Sequence, residues 1–205
     1  MENEYNRWDV ITCPMTSGKI GPAGFGIAAL LGAFVFSVAW IIAVCGDAGW
    51  VLGENTVSDL GVSDVQLSAD MFKYASIITG LLFFVFGIGK AVFEKDANRA
   101  SGIMAVIAAL ALIGIGTYSK DFGNGNAHLF SAVVFFLFIA ASAALSGYGD
   151  HHQRRTIPTA ITVVLFTASL LALATCSFEL AEVVIVICVM VWAAVQGIKL
   201  AMSNA

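Results

Sequence analysis

The stretch 25–45, FGIAALLGAFVFSVAWIIAVC, contains no charged residue. Its length matches the ~20 residues that cross a hydrocarbon core of ~30 Å at 1.5 Å per residue. A bilayer interior holds no water to satisfy backbone N–H and C=O groups, so such a run must bond its own backbone as a helix. Five further apolar segments follow it, and the reading predicts helices over 25–45, 70–90, 101–119, 127–147, 157–177 and 180–199. The predicted fold is an all-α integral membrane protein, one six-helix domain over 23–202. A polar tail, 1–22, precedes it, broken by Pro14, Gly18, Gly21 and Pro22.

Composition agrees with that reading. Of the 205 residues, 59% are hydrophobic and only 12% charged, where a soluble domain carries about 25% charged residues. The net charge of −4 lacks the basic surface that nucleic acid requires. None of the cysteines, Cys13, Cys45, Cys176 and Cys188, forms a CxxC pair, which leaves zinc and redox centres little support. The first residues carry Glu2, Glu4, Arg7 and Asp9 and lack the apolar core of a signal peptide. Membrane lipids are therefore the expected partners, nucleic acid is not, and self-association into a homo-oligomer is left open. No cofactor is indicated.

Six crossings put both termini on one side. If that side is cytoplasmic, Arg7, Lys19, Lys90, Lys95, Arg99, Arg154, Arg155 and Lys199 are inside, and Lys73 and Lys120 are outside. Eight plus two accounts for the 10 basic residues. Lys and Arg accumulate in cytoplasmic loops, so both ends are expected in the cytoplasm of a cell-membrane protein. The inner loops around Glu94–Arg99 and Gly149–Arg155 read as ordinary solvated turns. Packing is expected from small residues, Gly24 with Ala28 or Gly80 and Gly87 with Ala109, rather than from inter-helix charge.

The longest outer loop, from Gly46 to about Asp70, contains Asn55-Thr56-Val57-Ser58-Asp59-Leu60-Gly61. Within it Ser63-Asp64-Val65-Gln66 has the form of a capping box that would start the second helix near Asp64. This topology brings polar residues from distant parts of the chain to one depth. They are Ser58 and Asp59 in the loop, Lys120 and Asp121 after the third helix, His128 opening the fourth, and Glu179 and Glu182 opening the sixth. His128 has three readings: a general acid or base, a metal ligand, or a histidine that hydrogen-bonds a loop carbonyl. Glu182 falls inside the hydrocarbon boundary, where an acid is costly and faces a polar interior. Glu179 shares its helical face. Ser58-Asp59 also reads as a plain turn. Asn126 is expected to cap the fourth helix.

Val57-Ser58-Asp59-Leu60-Gly61 after a first membrane helix resembles the signature of a prokaryotic membrane-protein family, number 998 among the domains of unknown function. Gly116-Thr117-Tyr118-Ser119-Lys120-Asp121 and Ala127-His128-Leu129-Phe130-Ser131-Ala132 resemble that family's aspartate loop and histidine-led helix. Glu182 followed by Trp192 resembles its acid-led last helix. The resemblance implies a polar signature at Ser58, Asp59, Asp121, His128 and Glu182. A more distant similarity joins the Ser-Asp-Gly-like run to Frag1/DRAM membrane proteins, some of which act in lipid remodelling.

Taken together, these readings predict an outer-facing polar pocket that binds or modifies a lipid or lipid-linked headgroup. His128, Asp59, Asp121 and Glu182 would be the catalytic set, with His128 the candidate metal ligand. Ser58, Glu179 and Lys120 would bind. A transporter or channel for small solutes or ions, and a non-catalytic assembly protein, are the alternatives. Nothing in the sequence decides whether any substrate is turned over.

Overall fold

The computed structural model describes residues 21–203. Six helices run up and down: α1 (Pro22–Gly46), α2 (Gln66–Phe93), α3 (Asp96–Thr117), α4 (Asn126–His152), α5 (Thr156–Thr175) and α6 (Phe178–Ala201). All six are long and apolar enough to cross a membrane. Each packs on its neighbours in the chain, and α6 closes the ring against α1. The start of α1 and the end of α6 meet at one end of the bundle, the terminal end. The opposite, loop end carries the 46–66 connection, in which Val57–Val62 forms a 3-10 turn, and the 118–125 connection. The expected polar tail lies outside the described residues, apart from Gly21 and from Pro22, which sits in the first turn of α1.

Large apolar side chains point outward along every helix, among them Phe34, Ile41, Leu81, Leu137, Val164 and Leu171. This suits a lipid solvent, in which apolar burial does not drive helix association and close backbone approach does. Two seams show that approach. A Cβ on Gly26 would collide with the Gly197 carbonyl across α1 and α6, and one on Gly87 would come within 3.0 Å of the Gly102 carbonyl across α2 and α3. The expected contact of Gly80 with Ala109 is present, since a Cβ there would lie 2.9 Å from the Ala109 carbonyl. The expected role of Gly24 is not. That residue is exposed with nothing within 4 Å, and Gly26, two positions on, faces the neighbour instead.

The start of α2 also differs from expectation. Ser63 does not cap it: its hydroxyl donates to Asp47 Oδ2 at 2.5 Å and accepts the Val65 N–H. The helix starts at Gln66 behind Val65, which has no side-chain cap. The capping box belongs one turn earlier, to the 3-10 segment. Thr56 Oγ1 accepts the Asp59 N–H and Asp59 Oδ2 accepts the Thr56 N–H. Asn126 is the first helical residue of α4 rather than its cap; Gly125, at φ 73°, takes the cap position without a side-chain bond.

The terminal end overturns two expectations together. Its loops are not merely solvated turns, and inter-helix charge does hold the bundle. The helices extend past the apolar windows, and Glu94 and Asp150 turn inward to 5% and 0% exposure. Asp150 accepts from Lys199 Nζ at 2.8 Å and from the amides of Asn98 and Gln196, each at 3.0 Å. Glu94 accepts from Arg155 at 3.1 Å and pairs with Lys199 at 3.2 Å. Lys90, fully buried, donates to Asn98, Ser101 and Gln196. The network ties α2, α3, α4 and α6. The connection of α2 to α3 is only Glu94-Lys95, and it holds Glu94 beside Arg155 and Lys199 while Lys95 and Asp96 stay exposed.

Candidate functional site

A cavity of about 780 Å³ opens into the loop-end half of the bundle. That is within the ~300–1,000 Å³ of pockets that enclose a small ligand. All six helices contribute to its walls, which are overwhelmingly apolar: Phe36, Phe72, Leu112, Phe135, Val186 and Met190 are typical. Its polar side chains come from the loop end, where Ser58, Lys120, His128 and Glu182 reach it. A second, smaller hollow of about 130 Å³ between α4, α5 and α6 shares Phe136, Leu173, Ile185 and Val189 with the first.

The 3-10 turn positions the first of these groups. The Thr56–Asp59 box fixes the turn, Val57 and Leu60 are buried beneath it, and the Trp50 indole donates to the Thr56 carbonyl at 2.9 Å. Gly61 has a local reason to be glycine: a Cβ would lie 2.8 Å from the Phe72 ring. The turn thereby presents the Ser58 N–H to Glu182 Oε1 at 3.2 Å, across 124 residues of sequence. Glu182 lies one turn into α6, 9% exposed.

Lys120 crosses from the 118–125 connection and donates to Asp59 Oδ1 at 2.5 Å and to Thr56 Oγ1 at 2.7 Å. Burial alone would raise the Asp59 carboxyl, but the Lys120 ammonium and the Thr56 N–H and hydroxyl outweigh it and hold it below the usual carboxylate value. A carboxyl lowered by folding stabilises the fold in full above its unfolded value and loses that contribution as pH falls through the folded one. The Thr56–Lys120 junction is therefore expected to hold at neutral pH and to loosen below about pH 4. Trp50 fluorescence, taken by difference against Trp50→Phe, reads this directly. Asp59→Asn should abolish the acid transition, and Asp47→Asn, which removes the nearby carboxylate held low by Ser63, should leave it. An unchanged transition in Asp59→Asn would refute the assignment.

His128 is 5% exposed at the start of α4. Its Nδ1 is 2.8 Å from the Tyr118 carbonyl. A carbonyl only accepts, so Nδ1 carries the hydrogen, and in the neutral ring Nε2 is a free acceptor. Of the three sequence readings the carbonyl-bonded one is therefore realised, and it orients the ring for acid–base work rather than excluding it. Among the described residues no three His, Cys, Asp or Glu side chains gather closely enough to hold a metal ion.

The structure divides the expected residues. Ser58, Lys120, His128 and Glu182 line one cavity, and Asp59 stands behind its wall, joined through Lys120. Asp121 is exposed and outside it, and the neighbouring Ser119 hydroxyl keeps its carboxyl below the usual range. The chain turns at Gly123, Asn124 and Gly125, all with positive φ, which carries it from this exposed stretch back into α4. Glu179 is half-buried in the first turn of α6 and does not reach the cavity. Cys45 and Cys176 are exposed free thiols. Sequence reasoning missed Thr56 and the Tyr118 carbonyl. The spacing Thr56-x-x-Asp59 was the available signal for the former; a main-chain acceptor leaves none.

No curated protein matches the chain, and no solved structure does. One family model matches, described as "Protein of unknown function (DUF998)", and it covers residues 30–199, the bundle from the third turn of α1 to the last of α6. This multi-pass helical membrane protein belongs to the DUF998 family.

Proposed function

We propose that the protein draws an amphiphile from the bilayer into the bundle and binds or modifies its head at Ser58, Lys120, His128 and Glu182. One observation carries this reading: an apolar-walled cavity whose polar groups all lie at one end. Such walls would leave a water-soluble solute without hydrogen-bonding partners, whereas an acyl or isoprenoid chain fills them. The distribution of Lys and Arg supports an outer face for the polar end, and with it a lipid or lipid-linked headgroup of the outer leaflet as the ligand. His128 Nε2 is the base that takes a proton from the ligand, Glu182 is the second acid, and Asp59 positions Lys120. Asp121 and Glu179 have no part in the chemistry. A transport path lacks comparable support, because the side-chain network from Lys90 to Arg155 fills the terminal end of the bundle.

Ala132→Phe fills the cavity from α4 and tests the reading. Protein purified in a mild nonionic detergent should retain a co-purifying amphiphile, detected by mass spectrometry of its extract, and the variant should lose it by about tenfold or more. Equal retention in both would remove the cavity as the binding site. For turnover, the lipids of cells expressing the wild type should differ from those expressing His128→Ala. Identical profiles would reduce the site to binding.

A further inference from the structure

We infer that the head of the bound amphiphile donates hydrogen bonds, as an amine or a hydroxyl does, and is not a phosphate or carboxylate. This rests on the amphiphile reading above and comes from counting donors and acceptors at the polar end of the cavity.

Acceptors there are unspent. A carboxylate offers about four acceptor positions. Glu182 receives the Ser58 N–H on Oε1, and the Ser58 hydroxyl also stands at the carboxylate. That hydroxyl is free to donate to it. Thr56 Oγ1 already accepts from Asp59 N–H and Lys120 Nζ, and Ser58 Oγ stands 3.2 Å from it. About half of the Glu182 positions thus remain open. His128 Nε2, its Nδ1 committed to Tyr118, is another open acceptor. Both side chains are more than nine-tenths buried and face the cavity, so a ligand group that donates to them satisfies acceptors the protein leaves open.

Donors of the side chains that are not exposed are, in contrast, largely committed. The Ser58 N–H goes to Glu182, and the Ser58 hydroxyl has Thr56 Oγ1 and the same carboxylate within reach. Two of the three Lys120 hydrogens go to Asp59 and Thr56, leaving one. Ser76, on the cavity wall, donates to the Phe72 carbonyl of its own helix. The amides of Asn124 and Asn126 stand at the rim. Charge points the same way. Among the described residues Lys120 is the one lysine or arginine that reaches the cavity, and the Asp59 carboxylate pairs with it, whereas a phosphate head requires clustered cationic or N–H donors. An ammonium or hydroxyl head requires what is present: two buried acceptors on separate helices, above an apolar chamber.

The test uses full-length protein in nonionic detergent and native mass spectrometry with four ligands of equal chain length: hexadecylamine, hexadecanol, palmitic acid and hexadecyl phosphate. The amine, the alcohol or both should bind at least about tenfold better than either anion. A preference for the amine identifies charge at Glu182 as the recognition, and equal binding identifies hydrogen bonding; both support the inference. Glu182→Gln keeps the oxygen that Ser58 bonds and replaces the other by an amide donor, so the discrimination against palmitic acid should shrink at least about fivefold. Palmitic acid or hexadecyl phosphate binding as tightly as the amine and the alcohol overturns the donor-head inference and leaves the amphiphile reading standing. Failure of all four to bind overturns both. The wild-type comparison separates these outcomes even if the variant does not fold.

Discussion

Asp150→Ala is expected to destabilise the protein by about 3–5 kcal/mol, the cost of orphaning buried charge. The carboxylate is completely buried and accepts from Lys199, Asn98 and Gln196, with Arg155 at 4.0 Å. Neutral hydrogen bonds between membrane helices average only about 0.6 kcal/mol, so losing three as ordinary bonds would cost about 2 kcal/mol. The larger figure comes from what stays behind. Lys199, 7% exposed, would keep only Glu94 as an ionic partner, and the amides of Asn98 and Gln196 would lose their acceptor while still holding Lys90. Unfolding in detergent, by heat or by a denaturing surfactant, measures the difference. Asp121→Ala on the exposed connection is the control and should fall within about 0.5 kcal/mol of the wild type. A loss under about 1 kcal/mol for Asp150→Ala would mean that the network is solvated and contributes little.

The same residue shows where sequence reading reaches its limit. Six spans are legible because lipid forces each apolar segment to satisfy its own backbone; no tertiary information is needed. Which acids face inward is a different matter. Asp150 and Glu94 stand where the apolar windows end, so each looks like a loop acid. They are buried because the helices run one to two turns further, and because their partners Lys199 and Arg155 lie 49 and 61 positions away in the chain. Nothing local specifies such pairs.

At the loop end the sequence supports depth but not direction. Counting basic residues puts Ser58, Lys120, His128 and Glu182 at one level, and all four line one cavity. Lys120 and Asp121 are adjacent, yet the chain sends one inward to Asp59 and leaves the other in solvent. Glu179 and Glu182 are offset by about 60° on a helix of 3.6 residues per turn and by ~4.5 Å along it. That offset is enough to put only Glu182 within reach of the Ser58 N–H. In both cases neighbouring charged residues are separated by a backbone direction that composition does not encode.

Gly24 and Gly102 pose the same problem for glycine, and they give the second large expected effect. A Cβ on Gly102 would come to 2.5 Å from the Ala91 nitrogen, 2.8 Å from the Gly87 carbonyl oxygen and 2.9 Å from the Lys90 carbonyl carbon. All three are backbone atoms, so no side chain can rotate away. Overpacking a core typically costs about 1–3 kcal/mol when neighbours adjust; here α2 and α3 must separate, so Gly102→Val should sit at or beyond that upper limit. The separation would also pull Lys90 away from Asn98 and Ser101, which lie on the far side of the same seam. The effect should therefore couple to Lys90→Met by about 0.5–3 kcal/mol in a double-mutant cycle. Gly24→Val, by contrast, places its side chain where nothing stands within 4 Å, and should leave the unfolding midpoint unchanged. Two glycines in apolar helices, substituted identically, are thus expected to differ by several fold in their effect. If Gly102→Val is tolerated as well as Gly24→Val, the close α2–α3 seam, and the burial of Lys90 that depends on it, are not features of the folded protein in the membrane.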